Sequence, residues 1–298
     1  MVRPPTSPYS GRHFRSALYW GTVGGGPSLE NGRAGDLIRA VRARLGWSQW
    51  NLAEHLGVHW VTVSRWESGR VEPRAECLRE LVPLFLEVTF QQVRSLIEGG
   101  ERPFSVPTNY VLGYDLQEVR GAVQDYVQAS LEAGFLVCFI GRSVRGRMAL
   151  SKRWRLPPEV LSHPSFRYLE AEEVLFRGGN FDVSQINWVG REIEAEALRQ
   201  GYRHVRWIVD FGPLFERGLD WGKAISAGYN AASVFSSQEV SEGLGLFPAP
   251  GELNGPYQVC LLCLHPWLLG AKGFVRNPFH EDKLLCWARG QLMLSLSR

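Results

Sequence analysis

Apolar residues recur at helical spacing over the first third of the chain, and the pattern is tightest from Trp47 to Gly69, WSQWNLAEHLGVHWVTVSRWESG. Leu52, Ala53 and Leu56 form one apolar face and Val58, Val63 and Trp66 a second. Two short helices, Ser48 to Leu56 and about His59 or Trp60 to Glu67, can therefore bury a shared seam. Ser48 is placed to cap the first by accepting from the backbone N–H groups left unpaired at its start. Gly57 supplies the left-handed residue that stops one helix and aims the next.

On either side the period continues. Leu37, Ile38, Val41 and Leu45 share one face of GDLIRAVRARL. Pro73 suits the first turn of a helix reaching about Leu81, with Cys77, Leu78 and Leu81 inward. Thr89 reads as the cap of a closing helix carrying Phe90, Val93, Leu96 and Ile97. The pattern thus predicts a bundle of five helices within residues 34–100. Residues 1–33, rich in Pro, Gly and Ser with Arg3, Arg12 and Arg15 among aromatics, read as a flexible basic arm. GGERPFSVPTN lacks any period, and residues 101–109 read as a linker.

Beyond it the pattern changes to continuous apolar runs separated by amphipathic stretches. Tyr110 to Tyr114, Phe135 to Ile140, Phe166 to Leu169, Val205 to Val209 and Tyr257 to Leu264 read as strands. Gln117 to Ala133, the Asp182-capped stretch ended by Gly201, Lys223 to about Phe235, and Glu281 to Leu296 read as helices. Such alternation indicates a mostly parallel sheet covered on both faces. The expected fold is multi-domain: an all-α bundle followed by an α/β domain over residues 110–298.

The bundle pattern S-Q-x-x-L-A-x-x-L-G-V-x-x-x-T-V-S-R-W-E-x-G resembles the repressor-type helix-turn-helix family, the xenobiotic-response-element or Cro/C1 kind. The resemblance implies double-stranded DNA as partner, a homodimer and a near-palindromic operator. The start of the second motif helix should then enter the major groove. This makes Gln49, His59, Trp60, Val61, Thr62, Ser64, Arg65 and Arg70 the candidate DNA-binding residues. Arg65 can pair with guanine or with phosphate, Thr62 and Val61 can meet a thymine methyl, and Gln49 is placed for a phosphate. Trp60 departs from the small or polar residue usual at its position; stacking on sugar or a methyl group, packing on Trp50 and contact with a partner chain all remain open.

Composition adds little to the DNA reading. A formal charge of +3 and pI near 8.6 are only mildly basic. With 45% hydrophobic residues a sizeable core is possible. Five cysteines without dense spacing describe no disulfide framework. With no signal peptide ahead of them and no apolar run long enough for a membrane, a reducing cytoplasm is the expected location.

The stretch FRGGNFDVSQINWVGREIEAEALRQGYRHVRWIVDFG, with YVLGYD before it and HPWLLGAKGFVRNPFHED after it, resembles the methanogen/methylotroph sensory domain known from the dichloromethane-dehalogenase repressor. That implies a signal-sensing domain related to RecA-like α/β proteins, here degenerate. Asn109 stands where that family often has a histidine. In GRSVRGRM, Gly141 and Gly146 have phosphate-loop spacing, but Arg147 and Met148 replace the Lys and Ser/Thr, and the loop follows the second strand rather than the first. No cofactor is therefore expected.

Ligands of open α/β sheets bind at the carboxyl ends of strands. This nominates Tyr114, Asp115, Arg142, Asp210, Trp221 and His265 as one pocket for a small-molecule effector. Cys260 and Cys263, on a strand, would face opposite ways and hold no metal. No catalytic set can be assembled from sequence alone, so no enzyme is expected. Two rivals remain: a nucleotide-binding, ATPase-like module, and a ligand-free assembly domain.

Overall fold

The computed structural model describes residues 34–105, 108, 111–141, 147–178, 180–212, 241–249, 255–280, 282 and 285. The arm at 1–33, Asn109, Arg142, the phosphate-loop-like turn, Trp221, the helix expected from Lys223 and nearly all of the final helix lie outside them.

Four helices form the amino-terminal bundle: α1 (Ala34–Arg44), α2 (Gln49–His55), α3 (Trp60–Glu67) and α4 (Ala75–Ile97). Ser48 caps α2 reciprocally, its hydroxyl accepting from the Asn51 N–H at 3.1 Å while its own N–H donates to Asn51 Oδ1 at 3.0 Å. Gly57 turns the chain at φ +60°. Ile38, Val41, Leu52, Ala53, Val63 and Trp66 close the core as their spacing requires. Gly35 lets α1 back onto the end of α3, since a Cβ there would lie 1.9 Å from the Trp66 carbonyl oxygen.

The five-helix expectation is corrected at its end. The pattern predicts one helix ending near Leu81 and another starting at Thr89, yet α4 runs unbroken past both, with Pro83 inside it. Thr89 is no cap: it is buried, and its hydroxyl donates to the Phe85 carbonyl one turn back at 2.7 Å. Burial of Leu81, Val82, Phe85, Leu86 and Val93 along one face outweighs the rung that proline removes.

The second region is an α/β domain around a seven-stranded sheet, ordered β3-β2-β6-β7-β1-β8-β9. Its strands are β1 (Val111–Tyr114), β2 (Leu136–Gly141), β3 (Phe166–Glu170), β6 (Val205–Asp210), β7 (Ser241–Phe247), β8 (Trp267–Gly270) and β9 (Gly273–Arg276). Only β9 runs antiparallel. A small hairpin, β4 (Phe176–Arg177) with β5 (Asn180–Phe181), stands apart.

One sheet face packs on α5 (Gln117–Glu132), α6 (Arg147–Trp154) and α7 (Pro158–Leu161); the other packs on α8 (Ala171–Val174) and α9 (Val183–Arg199). Asp182 caps α9 as expected, accepting from the Ser184 N–H at 2.8 Å.

Tyr257 to Leu264 is not a strand. It belongs to a helix, α10 (Gly255–Leu264), with Val259, Leu261, Leu262 and Cys263 buried. A uniformly apolar run fits a buried helix as well as a buried strand, and period alone cannot separate them. Cys260 and Cys263 consequently share a helix face instead of opposing each other. Among the described residues no group of three or more His, Cys, Asp or Glu side chains is placed to hold a metal ion.

The two regions meet through backbone. Past α4, the Ile97 and Gly99 carbonyls accept from the Ala271 and Lys272 N–H groups at 2.6 and 3.1 Å. The Phe274 carbonyl accepts from Glu101 and Arg102 N–H at 2.9 and 3.0 Å. Glu101 and Arg102, at the start of the stretch read as linker, are thus bonded to β9 at Phe274, and Phe104 packs edge-on against Tyr126 and Phe274. Glycines make this approach possible: a Cβ on Gly270 would lie 2.4 Å from the Gly99 carbonyl oxygen.

Candidate nucleic-acid interface and strand-end cluster

The candidate DNA-binding residues gather on one side of the α2–α3 unit. His59, Trp60, Arg65 and Arg70 are exposed, and Val61, Thr62 and Ser64 are half-buried beside them. Val63 and Trp66 face the core. His59 caps α3, its Nδ1 accepting from the Val61 N–H at 3.3 Å. Gln49 is engaged inward: its amide donates to Glu67 at 2.8 Å. The same buried carboxylate takes the Arg42 guanidinium at 2.6 Å. Arg42 also donates to the Trp47 carbonyl, at 2.8 Å. Glu67 therefore ties α1, α2 and α3 into one rigid unit, a role that no periodic pattern reveals. Trp50 and Trp60 are both exposed, at 63% and 42%.

In the α/β domain, β1 lies inside the sheet, with β7 on one side and β8 on the other. Its carboxyl end is therefore a switch point of the strand order, where crevices open in such sheets. Asp115 follows β1 and Asp210 closes β6. A single arginine spans them: Arg153, on α6, donates to Asp115 at 2.8 Å and lies 3.6 Å from Asp210. Arg120 holds the other Asp115 oxygen at 2.7 Å. Asp210 accepts from the Trp154 indole at 3.1 Å and from the Gly212 N–H at 3.0 Å. Burial pushes the Asp210 pKa up, against the pull of Arg153.

Of the six proposed pocket residues, four are described. Asp115 and Asp210 are joined through Arg153. His265 packs edge-on against Phe247, the last residue of β7, with Phe211 stacked on the other side at 4.6 Å. Its Nδ1 donates to the Leu261 carbonyl at 2.8 Å. Desolvation pulls its pKa down to about 4. Tyr114 is buried with no partner for its hydroxyl among the described residues, and burial raises its pKa.

Arg153, Trp154 and Arg120 escaped the sequence reading. A basic residue near the end of a helix carries no signal of the strand end it reaches. The turn from β1 into α5 is two residues long, Asp115 and Leu116, and Glu118 sits in the first helical turn. A helix start dressed with carboxylates repels phosphate.

A second buried charge system lies at the amino ends of β6 and β7. Arg206, fully buried, donates to Glu242 at 3.2 Å, to the Phe104 carbonyl at 2.6 Å and to Ser130 Oγ at 2.7 Å. Its guanidinium lies between the rings of Tyr126 and Phe135, 4.7 and 4.8 Å from their centroids. Glu242 also accepts from the Thr108 N–H at 3.0 Å. It had been hidden because SEGLGLF, with its glycines, does not read as a strand.

Among the described residues, no helix is long and apolar enough to cross a membrane. No curated protein matches the chain. Residues 33–86 match the family described as a helix-turn-helix domain, so the amino-terminal bundle is of the kind found in DNA-binding regulators.

Proposed function

We propose that the chain is a repressor-type (XRE, Cro/C1-like) transcription regulator that binds a near-palindromic operator as a homodimer. In this reading residues 34–100 bind DNA, residues 110–298 form a sensory domain of the methanogen/methylotroph type, and residues 1–33 are a basic arm. The observation that carries it is the sorting of α3: Val63 and Trp66 inward, His59, Trp60 and Arg65 outward, on a unit matched as a helix-turn-helix domain. The outward residues stand where this motif meets base edges. Half-sites of such a dimer lie about 34 Å apart.

The sensory half of the proposal rests on the cluster of Asp115, Arg153 and Asp210 at the carboxyl ends of β1 and β6; His265, expected beside them, instead follows a helix and precedes the amino end of β8. A signal bound there acts on DNA affinity only if it favours one arrangement of the chain over another. The route available is short, because β1 pairs with β8, β8 with β9, and β9 holds the end of α4. This role needs no catalytic step and no cofactor, and it belongs in the cytoplasm.

Capture of sheared genomic DNA on the purified full chain, followed by sequencing, tests the proposal. Enrichment of fragments sharing a near-palindrome supports it. Recovery in proportion to fragment abundance would remove it. For the sensory half, a small molecule that raises the melting temperature and shifts operator affinity is the expected result.

A further inference from the structure

We infer that Trp60 is a specificity residue that selects a thymine through its methyl group in the major groove, an inference that rests on the DNA-binding reading above. Trp60 is the first residue of α3, the end of the helix that enters the groove, and its indole is 42% exposed. The ring has an aromatic neighbour. The His59 imidazole is fixed by accepting from the Val61 N–H at 3.3 Å, and it lies 5.9 Å from the indole at an angle of 34°. The two rings form a short aromatic ridge at the helix start. Val61 and Thr62 lie half-buried beside it, so the end of α3 offers apolar surface where the motif reads bases.

Base edges in the major groove display hydrogen-bond donors and acceptors, with one exception, the thymine methyl. An indole face offers no hydrogen bond to N7 or O6 and only a weak N–H···π contact to an amino group. Covering one of these would strip its water without equal replacement, at a free-energy cost. Covering a methyl removes apolar surface from water on both sides. Trp60 therefore discriminates in two ways, gaining from thymine and penalising the other bases at the same position.

The same chemistry argues against an unoccupied role for so large an exposed ring. Trp50, Trp60 and Val71 are three of the five large hydrophobic side chains exposed among the described residues, and all three lie on the helix-turn-helix unit.

The test uses the full chain, wild type and Trp60→Ala, against a pool of random-sequence duplexes. The wild type should enrich one motif with a fixed thymine in each half-site. Replacing that thymine by deoxyuridine, which deletes only the methyl, should weaken wild-type binding roughly fourfold per site and leave Trp60→Ala unchanged. An equal loss in both proteins, or no loss in either, overturns the inference while the DNA-binding reading stands. Loss of self-association in Trp60→Ala, with unaltered base preference, overturns it in favour of a partner contact. A pool from which the wild type enriches nothing removes both.

Discussion

Arg44, the last residue of α1, donates to the Asp282 carboxylate at 2.8 Å across 238 positions of sequence. Its guanidinium also lies over Phe85 of α4 and Phe279, 4.9 and 5.6 Å from the ring centroids. One side chain thus joins the DNA-binding bundle to the chain's far end, beside the backbone seam between α4 and β9.

Arg44→Ala leaves a mostly buried carboxylate without its cation and removes two ring contacts. A loss of about 1–3 kcal/mol is expected, read from denaturant unfolding. Because the pair spans the seam, the variant should also separate the melting of the two regions, seen as a broadened or split calorimetric transition. A single transition with unchanged midpoint would show that the pair contributes nothing.

Glu67 holds the reading unit together. Glu67→Ala strands the Arg42 guanidinium, which lies half-buried, and frees Gln49. The expected cost is roughly 3 kcal/mol. Glu67→Gln, which keeps the volume and one acceptor, should cost less. DNA affinity should fall with stability in both, whereas Arg65→Ala should lower affinity with the melting point unchanged.

Glu194, on α9, is buried and accepts from the Ser241 hydroxyl, which itself takes the Trp207 indole N–H at 3.2 Å. Desolvation raises its pKa. A raised carboxyl pKa means that the folded chain holds the proton more tightly than the unfolded one, so stability declines as pH rises from about 4.3 through the folded value. Glu194→Gln removes that slope. The two proteins should melt alike near pH 4, with the variant the more stable at pH 7 and above. A less stable variant at neutral pH would contradict this.

His265 gives the opposite slope. With its pKa pulled down to about 4, the folded chain resists protonation while the unfolded chain takes a proton near 6.5. Stability should therefore decrease as pH falls from about 6.5 toward 4. In His265→Gln this dependence should be absent, and NMR of the wild-type imidazole should show the neutral ring throughout pH 5 to 8.

The bundle was legible where local rules act alone: the Ser48 cap, the Gly57 turn and the inward face of α2 and α3 follow from spacing. It was misread between Leu81 and Thr89, because Thr89 carries the punctuation of a cap that tertiary burial overrode. In the α/β domain, β1, β2, β3, β6 and α9 announced themselves by apolar runs and a cap. Strand β7 did not, because Gly243 and Gly245 interrupt its apolar pattern, and packing is tight at the second: a Cβ on Gly245 would lie 2.6 Å from the Phe247 ring. Of the strand-end cluster, sequence supplied the carboxylates but not Arg153, whose position depends on how α6 folds back.

The most direct test of the regulator reading is a mobility-shift titration with duplex carrying the promoter of the protein's own gene, at moderate salt, against excess random-sequence competitor. Wild-type protein should give a discrete shift that survives competitor, and Arg65→Ala, equally stable, should lose it by tenfold or more, about 1.4 kcal/mol. A shift abolished by competitor, or retained in full by Arg65→Ala, would contradict sequence-specific reading of DNA by α3.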